Sequence, residues 1–227
     1  MQITISHIFY NQHRMLSLHR AAWAQHPKGS VRYTLIDDNS PIPIDRAFQP
    51  PTVEIYRVLD SIDWNTSGAR NLAFHVAQTE WVFCADIDHV VTPKALSAIL
   101  ELDLSDPNTV YTFARRIPDG IYGCMYTHNV LMNKQKYFEI GGNDEDFAGN
   151  YAAEDTFFGR CLAYHNLRVT HCDHIVLDWR PHMGATKNLP RDKSINAAIF
   201  AKKAKEMKDG TYVNGPILRF RWSRVIS

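Results

Sequence analysis

The sequence predicts an α/β domain in which helices flank a mostly parallel central sheet. Segments rich in β-forming residues alternate with segments of helical periodicity, and this alternation is typical of doubly wound sheets. The chain has 227 residues, of which 45% are hydrophobic and 22% charged, and this suffices for one domain with a full core. Aspartates also follow two of the predicted strands, at the end where such sheets bind ligands.

The predicted elements follow from periodicity and from the residues that begin them. Thr66 or Ser67 can cap a helix, and Thr92 caps another that starts at Pro93, because proline suits the first helical turn. Strands are expected at 3–10, 31–36, 53–58, 81–88, 109–116, 125–132 and 168–177. Helices are expected at 14–25, from the cap at Thr66 or Ser67 through Val76, from 93, and at 153–165 and 193–207.

Composition excludes several classes of protein. The formal net charge of +1 gives no general attraction for nucleic acid or acidic lipid. The four cysteines show no CxxC spacing, which disfavours a disulfide framework. No apolar run reaches the length of about 18 residues that a bilayer span needs, and the first residues lack a signal-peptide pattern. We therefore expect a cytoplasmic protein with no transmembrane segment and no nucleic-acid partner.

The stretch WVFCADIDHVV places Asp86 and Asp88 at the end of a strand that reads as buried. Side chains two apart in an extended strand share a face, so both carboxylates are expected on the same side. Two carboxylates this close need a cation to offset their repulsion and lost hydration. Hard oxygen ligands favour Mn²⁺ or Mg²⁺, so we expect one of these ions as the cofactor.

Three ordered motifs carry a resemblance to a known family: LIDDNS, then SGARNLAFHVAQTEWVFCADIDHVV, then EIGGNDEDFAGNYAAEDTFFGRCL. Together they resemble the GT-A glycosyltransferases, especially family 2 and the related galactosyltransferase C-terminal group. The similarity covers roughly residues 3–182. It implies a single GT-A domain with a Rossmann-like sheet, in which 1–92 forms the nucleotide-binding half, 93–192 the acceptor-binding half, and 193–227 a C-terminal helix and tail.

The resemblance also implies a donor site. Asp37 or Asp38 is expected to hold the nucleotide base or ribose, and Arg70 to brace this acidic pocket or the diphosphate. Asp86 and Asp88 are expected to meet the ribose and the metal-bound diphosphate.

A late segment, DWRPHMGATKNLPRDK, completes the expected site. By resemblance, His182 is the third metal ligand. The basic loop after it offers Lys187, Arg191 and Lys193 for the leaving diphosphate. His89, directly after the aspartate pair, is an alternative ligand, but alternation along a strand points it away from Asp88.

Glu154 and Asp155 match the ED pair of the family and supply the expected chemistry. Asp155 shares the apolar face of its helix with Phe158 and Leu162, so it is expected to face the site. By resemblance Asp155 is the general base of an inverting transfer, and Glu154 orients the acceptor.

The sequence thus predicts a metal-dependent inverting glycosyltransferase with a nucleoside-diphosphate sugar donor, UDP-sugar being favoured, and a carbohydrate or glycoconjugate acceptor. The base stays open between uracil, guanine and thymine. One alternative is a nucleotide-sugar-binding module without catalysis. Another is a sugar nucleotidyltransferase, although ITISHIFYNQHR lacks the glycines of a phosphate-binding loop.

Overall fold

The computed structural model describes residues 3–123, 127, 129–180 and 189–226. Ten strands and six α-helices are assigned within these residues. The strands are β1 (Ile3–Phe9), β2 (Val31–Asp37), β3 (Val53–Val58), β4 (Trp81–Asp86), β5 (His89–Val90), β6 (Thr109–Ile117), β7 (Gly120–Tyr122), β8 (Val130–Asn133), β9 (Arg168–Trp179) and β10 (Trp222–Arg224). The helices are α1 (His13–Trp23), α2 (Thr66–Val76), α3 (Pro93–Leu100), α4 (Lys134–Glu139), α5 (Glu154–Tyr164) and α6 (Ser194–Lys208).

One sheet runs through the molecule in the order β10-β3-β2-β1-β4-β8-β6-β9-β5, with β7 paired to β6. The four strands β3-β2-β1-β4 are mutually parallel, and their carboxyl ends therefore lie at one edge of the sheet. Strand β8 is antiparallel to both β4 and β6, so the sheet as a whole is mixed. The predicted α/β class, with helices flanking a central sheet, is confirmed.

Hydrophobic layers on both faces hold the sheet between helices. Alternate residues of the central strand β1 face opposite layers: Ile5 packs among residues of α1 and α3, whereas Ile8 packs among residues of α2. The strand is buried along its whole length, as expected for a strand covered on both faces. The rigid sheet fixes the positions of the side chains that follow its strands.

Two predicted local details differ from the structure. Helix α2 begins at Thr66 with Asn65 at the N-cap position and no capping side-chain hydrogen bond, so neither Thr66 nor Ser67 is the cap. Strand β4 ends at Asp86, and Ile87 and Asp88 form a turn before β5. The predicted cap at Thr92 is confirmed, because its hydroxyl accepts a hydrogen bond from the N–H of Ala95.

The C-terminal tail docks on the sheet. Strand β10 extends it antiparallel to β3, and Phe220 is buried in the layer beside α2. Arg221 pairs with Asp60. Within the described residues, no helix has both the length and the apolar character that a membrane crossing requires.

Candidate active site

A cavity of about 180 Å³ lies where the parallel strands end. Tyr10 follows β1, Asp38 follows β2, and Asp86 is the last residue of β4, so the sheet itself brings these three side chains together. Helices α2 and α5 complete the wall from two sides. The lining residues are Ile8, Tyr10, Gln12, Asp38, Ile62, Trp64, Thr66, Arg70, Asp86, Ile87, Tyr151, Glu154, Asp155 and Leu189.

Arg70 is the charged centre of this cavity. Its side chain is only 3% exposed, and its guanidinium binds Oδ1 of Asp86 at 3.0 Å and Oδ1 of Asp155 through its other terminal nitrogen. The two carboxylates raise the pKa of Arg70 well above its usual value, against the opposing effect of burial. Because a buried guanidinium stays charged, Arg70 fixes Asp86 and Asp155 relative to each other.

The acid pair Glu154 and Asp155 opens helix α5 at the cavity wall. The two residues before it, Ala152 and Ala153, both have positive φ angles, of 72° and 74°. Such angles are costly for residues with a Cβ atom, and strain of this kind persists where the surrounding structure enforces it. The left-handed backbone turns the chain sharply, and the helix then starts with its acids on the cavity.

Glu154 differs from its neighbour in environment. Burial, reinforced by the charge of Asp155, raises the pKa of Glu154 from 4.5 to about 7. Among the described residues, its buried Oε2 has no hydrogen-bond partner. A carboxyl group in this position is suited to gain or lose a proton near neutral pH.

The structure separates the roles of the two aspartates in LIDDNS. Asp37 accepts hydrogen bonds from the backbone N–H groups of Ser40 and Ile44 and binds Arg57 at 2.5 Å. Its carboxylate thus holds the loop after β2, and Asp37 does not line the cavity, so its role in donor binding stays a prediction. Asp38 is the cavity residue. Burial raises the pKa of Asp38 to about 7, although Asn65 donates a hydrogen bond to it.

The expectation that Asp86 and Asp88 share one face of an extended strand is wrong, because the chain turns directly after Asp86. Asp86 lines the cavity, whereas Asp88 is buried and does not line it. The Asp88 carboxylate accepts hydrogen bonds from His89 Nδ1 at 2.6 Å and from Trp179 Nε1 at 3.0 Å. These two donors hold the Asp88 carboxylate in one orientation.

The cavity wall carries oxygen donors of the type that bind a hard cation. Asp86, Glu154 and Asp155 bring three carboxyl groups to one wall against the single guanidinium of Arg70, and Glu154 carries an unsatisfied oxygen. Carboxylate oxygens are the ligands that Mn²⁺ and Mg²⁺ prefer. No ready-made group of three or more His, Cys, Asp or Glu ligands is present in the part of the chain that the structure describes.

Two predicted site residues, His182 and Lys187, lie outside the described residues, so their roles stay predictions. Arg191 is described, and its guanidinium lies over the rings of Trp64 at 5.4 Å and Tyr151 at 5.1 Å. The indole N–H of Trp64 also donates to the carbonyl of Pro190 at 2.6 Å. The segment 189–191 is thereby attached to the cavity rim.

Sequence reasoning missed several lining residues, including Tyr10, Trp64 and Tyr151. Tyr10 could have been found, because it follows β1 just as Asp38 follows β2. Trp64 and Tyr151 pack ring against ring with centroids 4.6 Å apart, although 87 residues separate them in the chain. No local pattern indicates such a contact.

Comparison with solved structures identifies the fold. The mannosyltransferase PcManGT of Pyrobaculum calidifontis, solved with GDP-Man and Mn²⁺, is similar with a TM-score of 0.60 at 15% identity, over 82% of this chain and 59% of its own. TarS 1-349 of S. aureus, solved with UDP-GlcNAc, gives 0.58 at 16%, over 84% and 62%. GalNAc-T7, solved with UDP, GalNAc and Mn²⁺, gives 0.68 at 11%, over 93% and 50%.

These neighbours define the class of the domain as the GT-A glycosyltransferase fold. The chain spans less than two thirds of the length of each of the three structures. A model of glycosyl transferase family 2 matches residues 8–163, and the chain belongs to this family. The resemblance seen in the motifs is thereby confirmed. No curated protein sequence matches the chain.

Proposed function

We propose that this protein is a metal-dependent inverting glycosyltransferase that moves a sugar from a nucleoside-diphosphate sugar, with UDP-sugar favoured, to a hydroxyl group of a glycan or glycoconjugate. The observation that carries the proposal is that Asp38, Asp86, Glu154 and Asp155 line one cavity. Arg70 lies in the same cavity and forms ion pairs with Asp86 and Asp155. The solved neighbours that contain GDP-Man, UDP-GlcNAc or UDP support the choice of donor class.

In this proposal the 1–92 half binds the donor. Asp38 and Asp86 accept hydrogen bonds from hydroxyl and base N–H groups of the nucleoside, and Tyr10 offers an aromatic face beside them. Asp86 and Asp88 are the carboxylates for Mn²⁺ or Mg²⁺, with His182 as the predicted third ligand. The bound ion would neutralise the negative charge that develops on the diphosphate as the glycosidic bond breaks, and would thereby stabilise the transition state.

The acceptor-binding half, 93–192, supplies the base. Asp155 removes the proton of the acceptor hydroxyl as the oxygen attacks the anomeric carbon on the face opposite the diphosphate, so the configuration inverts. Arg70 holds the Asp155 carboxylate in position through their ion pair. The pKa of Glu154, about 7, leaves its carboxyl group partly protonated at neutral pH. Glu154 can therefore donate a hydrogen bond to a second hydroxyl group of the acceptor sugar, or accept one from it.

Arg191 is assigned to the diphosphate. In the described structure it lies against Trp64 and Tyr151 at the rim, within the segment that follows the predicted ligand His182. A ligand entering the cavity can exchange this aromatic contact for a charge-assisted bond to phosphate, which is stronger.

A thermal-shift panel of UDP, GDP and dTDP, each with and without Mn²⁺, tests the donor assignment. A rise in melting temperature for one nucleotide that requires Mn²⁺ is the expected result. A shift of equal size without the metal contradicts metal dependence, and no shift with any nucleotide contradicts the function itself.

A further inference from the structure

Three buried histidines bind the backbone of the segment that carries Asp88. His19 Nε2 lies 2.7 Å from the carbonyl oxygen of Ile87, and His7 Nε2 lies 3.3 Å from that of His89. His26 Nε2 lies 3.0 Å from the carbonyl oxygen of Val91. A carbonyl oxygen only accepts, so in each pair the imidazole is the donor.

The three carbonyls are alternate ones, and this explains the arrangement. His89 and Val90 form the strand β5, and successive carbonyls of a strand point to opposite edges. One edge of this segment pairs with β9, and the carbonyl of Asp88 accepts a hydrogen bond from the N–H of Arg180 there at 2.8 Å. Among the described residues, no strand lies beside the remaining edge, because β5 is the last strand in the sheet order. Buried carbonyls need donors, and the imidazoles of β1, α1 and the residues after α1 take the place of a neighbouring strand.

Burial favours the neutral form of these three imidazoles, because it lowers the pKa of each. Burial lowers the pKa of His19 to about 4 and that of His7 well below its usual range. The Nδ1 atoms of both rings lack a hydrogen-bond partner among the described residues, so a second ring proton would be buried without an acceptor. His26 Nδ1 instead lies 2.5 Å from the hydroxyl of Tyr33, which donates to it.

The same segment fixes the carboxylate of Asp88. His89, whose carbonyl is bound by His7, contacts Asp88 Oδ1 with its own ring. A shift of the backbone at 87–89 would therefore move both Asp88 and the imidazole that orients it. The rings of His7 and His19 also pack against each other, with centroids 4.1 Å apart, so a displacement of one of these histidines would disturb the other.

We propose that His7, His19 and His26 are positioning residues that hold the backbone of 87–91, and with it the Asp88 carboxylate, in the geometry that binds a divalent cation. The inference rests on the proposed function for the divalent cation at Asp88. None of the three histidines lines the cavity, and they act through main-chain hydrogen bonds.

The test compares two substitutions at one position. His19→Met removes the N–H donor and puts an apolar side chain of similar length in its place. His19→Gln keeps an N–H donor at the same position. Met15→Ala is the matched control, because Met15 is buried on the same helix and its loss destabilises the protein without touching the segment carbonyls. Each variant is measured for Mn²⁺ affinity, alone and with UDP present, and for amide hydrogen exchange at 87–91.

We expect His19→Met to weaken Mn²⁺ binding about tenfold, the usual cost of losing an outer-sphere orienting partner, and to speed exchange at 87–91 beyond Met15→Ala. His19→Gln should recover part of both effects. Exchange that matches the control overturns the inference, as does faster exchange with unchanged Mn²⁺ affinity. If the wild-type protein binds no Mn²⁺ at all, the proposed function fails, and the exchange data alone decide whether the histidines hold the segment.

Discussion

The guanidinium of Arg70 binds the carboxylate of Asp155, although the two residues lie 85 positions apart in the chain. The same guanidinium binds Asp86 at the end of β4. One buried cation thus joins the strand that is proposed to meet the donor with the helix that is proposed to supply the base. In the proposed function, this side chain sets the position of the base relative to the donor site.

Replacement of Asp155 tests the proposed base. Asp155→Asn should lower the transfer rate about a thousandfold, since general base catalysis typically contributes a factor between a hundred and ten thousand. Donor affinity should change little, because the amide keeps the shape of the side chain. Asp103→Asn, at an exposed acid away from the cavity, is the control. A rate within threefold of the wild type would show that another group takes the proton.

Loss of Arg70 should destabilise the fold as well as the site. Arg70→Met leaves Asp86 and Asp155 without their shared cation, and breaking a buried ion pair costs about 3 kcal/mol. Arg168→Met removes an ion pair whose arginine is 66% exposed, and it should cost less than about 1 kcal/mol. Urea unfolding measures both. Equal stability of the two variants would contradict a central role for Arg70.

Glu154 predicts a pH dependence of stability. Its pKa is about 7 in the folded protein and 4.5 when unperturbed, so between these values the folded state holds a proton that the unfolded state has lost. The free energy of unfolding therefore falls as pH rises from about 4.5 to 7. Above that range Glu154 causes no further change in stability. The melting temperature of Glu154→Gln should fall less steeply than that of the wild type between pH 5 and pH 8. Parallel curves would argue against the raised pKa.

The strained turn before α5 predicts opposite effects of two glycine substitutions. Ala153→Gly relieves a positive φ and should stabilise the protein by about 1 kcal/mol, whereas Ala163→Gly, inside the same helix, should destabilise it by about 1 kcal/mol. We also expect Ala153→Gly to lower the transfer rate, because a freer turn holds Glu154 and Asp155 less firmly. An unchanged rate would separate the strain from catalysis.

Much of the fold follows from the sequence because strands and helices leave periodic patterns. The observed bounds of β3 equal the predicted 53–58, and α2 ends at the predicted residue. The pattern failed at Asp88, because DID alternates like a strand while the chain already turns there. Nothing in a local pattern records where β4 ends relative to its neighbours.

The site was predictable where motifs and strand ends coincide and unpredictable where distant segments meet. Arg70, Asp86 and Asp155 were all expected at one site, and the cavity contains all three. The sequence alone does not distinguish Asp37 from Asp38 as the cavity residue. The folded loop after β2 does, because Asp37 binds Ser40, Ile44 and Arg57 there, whereas Asp38 lines the cavity. Trp64 with Tyr151, and the histidines on alternate carbonyls, arise from contacts across the whole fold.

A crystal structure with Mn²⁺ and the nucleoside diphosphate selected by the thermal-shift panel tests the central claim most directly, because anomalous scattering locates the manganese. The account predicts a manganese peak at bonding distance from a carboxylate oxygen of Asp86 or Asp88, with the diphosphate on its other side and the nucleoside against Asp38. A nucleotide bound away from this cavity, or in the cavity with no manganese at either aspartate, would contradict it.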